Sequence, residues 1–290
     1  MTPLFDTHCH YNLEPFFSGK PSPFFAKENE DEHFCQWQDH HRRAQQQQVL
    51  QAVVVGVDLD SSRLAVSISE QEPQLYASIG ICPTDLNQLD TKNLDHMLEE
   101  LKTLSVAPKI VAVGEVGLDW TTDTSIKEKQ IQEQLFVQQI VLANQLNKPL
   151  VIHARDPQNE AYQKILDLLE KEYLFQKPFV LHCVSGPTNY IKKAIKMGGY
   201  LSFAGNITYP NANHLRELFS LTPPDRVMIE TDAPFLPPQE KRGMVNLPRY
   251  LRLTADFLAT QLGVNLNQIY QNSCRCFGLN SQLDKIIKIN

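Results

Sequence analysis

Eight short apolar runs bounded by turn residues recur along the 290 residues of the chain, separated mostly by longer segments of helical period. The runs are Leu4 to His8, Ala52 to Val57, Leu75 to Ile81, Ile110 to Glu115, Leu150 to His153, Phe179 to His182, Tyr200 to Phe203 and Val227 to Thr231. Helical spacing predicts helices near 61–71, 91–104, 126–147, 158–173, 188–197 and 211–220, with two more after the last run, near 248–262 and 265–276. Eight strands alternating with helices point to a (β/α)8 TIM-like barrel, whose active site lies at the C-terminal ends of the strands. With 42% hydrophobic residues the chain can bury one sizeable core, so residues 1–290 are expected to form a single domain.

Charge and cysteine content exclude several classes. Lys and Arg number 27 against 33 Asp and Glu, a formal net charge of −6, so there is no global basic footprint for holding nucleic acid. A polyanion would have to be held by a local patch or by metal ions. No basic start with an apolar h-region opens the chain, and no apolar run approaches the ~18 residues needed to span a membrane. A soluble, cytoplasmic protein, monomeric and without a membrane partner, is expected. The six cysteines form no Cys-x-x-Cys pair and read as reduced thiols, with Cys274-x-Cys276 packing a helix.

One connection breaks the rhythm. Between the first two strands a loop spanning about residues 14–40 carries Pro-Phe-Phe twice, at Pro15–Phe17 and Pro23–Phe25. Its rings either pack as a lid on the barrel rim or offer faces for unpaired bases. The run Gln45–Gln48 is expected in the helix that enters the second strand.

The segment "LFDTHCHYN", residues 4–12, carries the first chemical signal. Side chains alternate across a strand, so His8 and His10 share one side while Cys9 points to the other. Four further strand ends carry residues of the same kind: Glu115 in "VAVGEVGLD", His153 in "PLVIHARD", His182 in "FVLHCVSG" and Asp232 in "VMIETDAP". A lone histidine beside an apolar strand is usually a core group. Six ligand types at the positions where a barrel places its catalytic groups are a different matter. Four imidazoles and two carboxylates suit Zn²⁺, Mn²⁺ or Mg²⁺, and they suffice for two ions if one carboxylate bridges. Metal ions can supply what phosphodiester hydrolysis needs: a nucleophile at neutral pH, neutralised phosphate oxygens and a stabilised leaving oxygen.

"FDTHCH", "VAVGEVGLDW", "KPLVIHARD", "LHCVSG", "IETDAPFLPP" and "RGMVNLP", in this order and spacing, resemble the TatD family of metal-dependent deoxyribonucleases of the amidohydrolase superfamily, over nearly the whole chain. The resemblance implies a TIM-like barrel with one or two divalent ions, hydrolysing nucleic-acid phosphodiesters, often from DNA ends as an exonuclease. It further implies His8, His10, Glu115 and Asp232 around one ion and Glu115, His153 and His182 around the second, with Asp232 as general base and Glu115 also catalytic. DNA, single-stranded or at an end, is the expected partner.

Other residues are weaker candidates. Asp6 and Glu230 lie near ligand positions and either orient imidazoles or make ordinary buried hydrogen bonds. Arg155 either contacts a substrate phosphate or pairs with Asp156 or another carboxylate. Arg242 and Asn246 follow the last strand, where a substrate's sugar or phosphate could reach them, and Lys192, Lys193 and Lys196 read as a solvated helix face. The chain departs from the TatD pattern at "GICP", where Cys82 replaces a usual histidine, and at Met244 and Val245, where basic residues are common. Both departures lower the positive charge expected at the mouth. The competing functions are a metallohydrolase of another substrate, such as D-aminoacyl-tRNA or a small ester or lactone, and an inactive scaffold, which six intact ligand positions disfavour.

Overall fold

The computed structural model describes residues 1–20, 35–84 and 94–279. Its eight strands are β1 (Leu4–Cys9), β2 (Val49–Val55), β3 (Leu75–Ile79), β4 (Ile110–Asp119), β5 (Leu150–Arg155), β6 (Phe179–Leu181), β7 (Tyr200–Phe203) and β8 (Val227–Ile229). They pair in chain order and every pair is parallel. A bridge between Cys9 and Ala233 joins the end of β1 to the segment after β8 and brings the sheet round to a TIM-like (β/α)8 barrel. The helices are α1 (Trp37–Gln46), α2 (Leu59–Gln71), α3 (Leu94–Leu104), α4 (Ile126–Leu146), α5 (Glu160–Glu172), α6 (Thr188–Lys196), α7 (Asn213–Leu221), α8 (Leu251–Leu262) and α9 (Leu266–Phe277). Residues 91–93 of the expected third helix, and Pro23, Phe24 and Phe25, lie outside the described residues. Among the described residues no helix is long and apolar enough to cross a membrane.

Local chemistry sets the helix boundaries. Ser125 and Glu128 form a reciprocal capping box at the start of α4, each side chain accepting from the other's backbone N–H. Asp58 and Ser61 do the same for α2. Asp156 caps α5 by accepting from the backbone of Gln158 and Ala161, both at 2.8 Å.

Two apolar layers follow from strand alternation. Leu4, Ala52 and Val54 face the helices, while Phe5 fills the N-terminal half of the barrel together with Val111, Val151, Val180 and Met228, and Val53 and Val55 extend the same inner cluster along β2. Tyr270, Cys274, Cys276 and Phe277 from α9 complete that inner cluster, and both cysteines are free and buried. Burying a side chain such as Phe5 contributes on the order of 2 kcal/mol. With its lower half filled by apolar side chains, the barrel has its polar groups at the other end.

β4 runs past its expected end at Glu115 to Asp119 because Gly117 lets it approach β5. Gly117 pairs with His153, has φ +140°, and a Cβ there would sit 2.0 Å from the His153 carbonyl oxygen. Only glycine fits, and the extension sets Asp119 beside Arg155 in the ladder.

Candidate metal centre

The six strand-end residues converge at the C-terminal mouth. β1 delivers His8 and, one residue beyond its end, His10, whose Nε2 atoms lie 3.2 Å apart. Backbone bonds from Asp232 N to the His8 carbonyl and from His10 N to the Ala233 carbonyl, both 2.9 Å, lock the segment after β8 against them. Asp232 adopts φ +55°, a left-handed conformation that aspartate tolerates better than most residues. Its Oδ1 lies 3.6 Å from His8 Nε2 and 3.5 Å from His10 Nε2. Glu115 occupies the centre: Oε2 is 3.4 Å from His8 Nε2, while Oε1 is 2.8 Å from His153 Nδ1 and 3.0 Å from His182 Nε2. One carboxylate thus faces imidazoles on both sides.

Hydrogen bonds to the far side of two rings set which nitrogen faces the cluster. His10 Nδ1 lies 3.0 Å from the Val55 carbonyl, which can only accept, so Nδ1 carries a proton and Nε2 is the nitrogen turned to the cluster. His153 is oriented the other way round. Its Nε2 faces Asp119 Oδ2 at 2.9 Å on the outer side, which turns Nδ1 inward to within 2.8 Å of Glu115 Oε1. A carboxylate or carbonyl holding the outer nitrogen is how metal-binding histidines are oriented. Ligand atoms of His8, His10 and Asp232 lie within 4.8 Å of one another, as do those of Glu115, His153 and Cys82, and such donors fit divalent ions.

Electrostatics reflect the crowding. Burial alone would raise the Glu115 carboxyl, but the surrounding His182, His153 and His8 outweigh it and hold it well below the usual carboxylate range. Burial lowers His182, yet Glu115 and Glu230 hold it well above the ordinary histidine value. Burial, followed by His182, pushes His8 down; the two rings stack with centroids 4.1 Å apart. Asp232 is drawn down by His10, His8 and His182 against the effect of its burial.

Asp119 was not singled out in the sequence, although it ends the quoted "VAVGEVGLD". It joins His153 to the mouth: Arg155 Nε donates to its Oδ1 at 3.0 Å, and a second guanidinium nitrogen lies 2.9 Å from Oδ2. Arg155 therefore pairs with Asp119 rather than Asp156, while its side chain stays 61% exposed. A cavity of about 270 Å³ opens beside this pair, lined also by Thr84, Asp123, Glu128 and Gln132.

Other candidates sit elsewhere than their sequence positions suggested. Asp6 is completely buried and its carboxylate touches no imidazole; it accepts from Thr231 N (2.8 Å), Thr231 Oγ1 (2.6 Å) and, at 3.4 Å, His8 N. It braces the backbones of two site strands, and burial pushes its carboxyl up to about 7. Glu230 accepts from the backbone of Cys183 and comes within 3.6 Å of His182 Nδ1. Asn246 cannot reach a substrate, because it is 1% exposed and its amide donates to the carbonyls of Thr231 and Phe235, both at 2.7 Å. Arg242 is exposed and lies over the Tyr209 ring, 4.7 Å from its centroid. Val245 is buried in the apolar core, so it leaves the charge of the mouth untouched. Phe16 is also buried, against Tyr11 and His40, and is closed to base stacking; Phe17 is exposed. Lys193 pairs with Glu170 at 2.9 Å on the surface of α6.

A parallel eight-stranded barrel with histidines and carboxylates converging at its C-terminal mouth has the donor set of a metal-dependent enzyme. Comparison narrows the class: residues 5–278 match the family described as TatD related DNase, and the chain belongs to the TatD family. It is 33% identical over 281 residues to the metal-dependent hydrolase YabD of Bacillus subtilis, covering 96% of this chain and all of that one. It is 34% identical to the metal-dependent hydrolase YcfH of Escherichia coli over 67% of this chain and 69% of that one. The crystal structure of the TatD homologue YJJV from E. coli superposes with a TM-score of 0.80 at 26% identity, over 96% of this chain and 98% of that one.

Proposed function

We propose that this hydrolase is a deoxyribonuclease that shortens DNA from its ends, with His8, His10, Glu115 and Asp232 holding one divalent ion and Glu115, His153 and His182 a second. The observation that carries the metal assignment is that His10 Nε2 and His153 Nδ1 are turned into the cluster, each ring held by an acceptor on its far side. The ions, Mg²⁺, Mn²⁺ or Zn²⁺, would supply a nucleophile at neutral pH and neutralise charge on the phosphate oxygens. Asp232, at the rim and 8% exposed, accepts the proton of the attacking water. Glu115 stays ionised between the two imidazole groups and keeps them apart at a fixed distance. Arg155 receives a phosphate on the exposed face of its guanidinium while Asp119 holds the other side. DNA as substrate is supported by the family's description and by this phosphate chemistry.

A second reading, hydrolysis of a small ester or lactone, is favoured by one feature. The cavity next to His153 carries Asp119, Asp123 and Glu128 against the single positive charge of Arg155, a lining that repels a polyanion. End-labelled single-stranded DNA, closed circular duplex, aminoacyl-tRNA and model esters, each assayed with Mg²⁺ or Mn²⁺, separate the two. Stepwise shortening of the labelled strand with little cutting of circles supports the nuclease; metal-dependent hydrolysis of an ester with DNA untouched replaces it.

A further inference from the structure

We propose that Cys82 is a ligand of the ion held by Glu115 and His153, and that its sulfur biases this position towards thiophilic ions such as zinc and cobalt over magnesium. The inference rests on the reading of the cluster as a divalent-metal site and adds to it a donor of a different kind.

Cys82 Sγ, a carboxylate oxygen of Glu115 and a ring nitrogen of His153 all lie within 4.8 Å of one another. The sulfur is 3.4 Å from Glu115 Oε1, the same oxygen that His153 Nδ1 approaches to 2.8 Å and His182 Nε2 to 3.0 Å. Thus Cys82 stands with two imidazoles around one carboxylate oxygen, each arriving from a different strand end.

The placement is built from outside the cluster. Gln139 of α4, fully buried, clamps the preceding residue from both sides: its Oε1 accepts from Ile81 N at 2.7 Å and its Nε2 donates to the Ile81 carbonyl at 3.0 Å. Cys82 N donates to the Val57 carbonyl at 2.7 Å. Thr84 Oγ1 donates to the sulfur at 3.3 Å, a contact that persists and strengthens when the sulfur is a thiolate. A cysteine serving only as a small hydrophobe would turn its sulfur to the apolar layer, as Cys9 does. Here it faces a carboxylate at the mouth while only 2% exposed, out of reach of a bulky substrate.

Carboxylate and water select hard ions, whereas a thiolate selects soft ones, so one sulfur changes the preference of an otherwise nitrogen and oxygen site. As the sulfur–metal bond forms the S–H bond breaks and its proton leaves to solvent.

The test is cobalt loading of the full chain after chelator stripping, followed by absorption spectroscopy and elemental analysis. The near-ultraviolet sulfur-to-cobalt charge-transfer band is expected in the wild type, absent in Cys82→Ala and Cys82→Ser, and retained in Cys183→Ala. In competition dialysis the preference for zinc over magnesium should fall roughly 10- to 100-fold in the Cys82 variants. Cobalt bound without the band in the wild type, or a band that survives Cys82→Ala, overturns the proposal even if a variant folds poorly, since the wild-type spectrum stands alone. No cobalt bound at all would overturn the metal reading of the whole cluster together with it.

Discussion

Asp119 Oδ2 accepts from His153 Nε2 at 2.9 Å, and this bond decides which nitrogen of the ring faces Glu115. Asp119 also carries Arg155, so one carboxylate couples the orientation of a ligand to the charge at the rim. Burial works against its ionisation, but His153 and Arg155 outweigh this and hold its carboxyl low, so it stays an acceptor at neutral pH. Asp119→Asn keeps the shape but allows the other tautomer. Metal affinity at the His153 position should drop roughly 10- to 100-fold with the thermal midpoint little changed, measured by metal titration and calorimetry. Unchanged affinity would mean that His153 needs no such partner.

Asp232→Asn should lower turnover by ~10² or more while leaving the fold intact, the range for loss of a positioned base. Steady-state kinetics on the metal-loaded variant decide it. Wild-type turnover would move the base to another carboxylate, with Glu115 next.

The strand from Leu4 to His8 and the start of β4 are legible in the sequence, because apolar runs between turn residues are visible in one dimension. The ligands were legible for the same reason: they end those runs. Asp119 was not, since Gly114 and Gly117 interrupt the apolar pattern before it, and the need for glycine at 117 comes from the approach of β5. Asp6 and Asn246 looked available for the site as polar residues near ligands. What they do instead depends on closure of the barrel between β1 and the segment after β8, whose carbonyl and amide groups they satisfy. Arg155 could be placed at the mouth from sequence, but its choice of Asp119 over Asp156 depends on Asp156 being used up as the α5 cap.

Stability should depend on pH through His41. This imidazole is 4% exposed, lies edge-on to Tyr11, and burial lowers its pKa from 6.5 to about 4. A base with a depressed folded value contributes stability that is fully present above its unfolded value and is lost as pH falls from about 6.5 towards 4. Between pH 7 and 5 the contribution should shrink by about 2 kcal/mol. Urea unfolding of the wild type and His41→Gln at both pH values isolates it: the drop should be smaller in the variant by that amount. Equal drops would show that His41 titrates normally when folded.

If the nuclease reading holds, salt should weaken DNA binding only modestly, because the net charge is −6 and Arg155 and Arg242 are the basic groups that reading assigns to phosphates. Each phosphate neutralised contributes a slope near −0.9 for duplex and −0.7 for single strands in log K against log salt. A slope of about −1 to −2 is expected in binding titrations with the slowed Asp232→Asn variant. A slope several-fold steeper would reveal a basic surface outside these two residues.

The central claim is that six strand-end residues bind divalent ions, and metal content per chain tests it most directly. Protein purified without chelator and dialysed is compared with His8→Ala/His10→Ala by elemental analysis, with circular dichroism confirming that the variant is folded. One or two ions per wild-type chain and one fewer in the variant is the predicted result, since His8 and His10 Nε2 and Asp232 Oδ1 define one position. Equal metal content in both proteins would contradict the assignment.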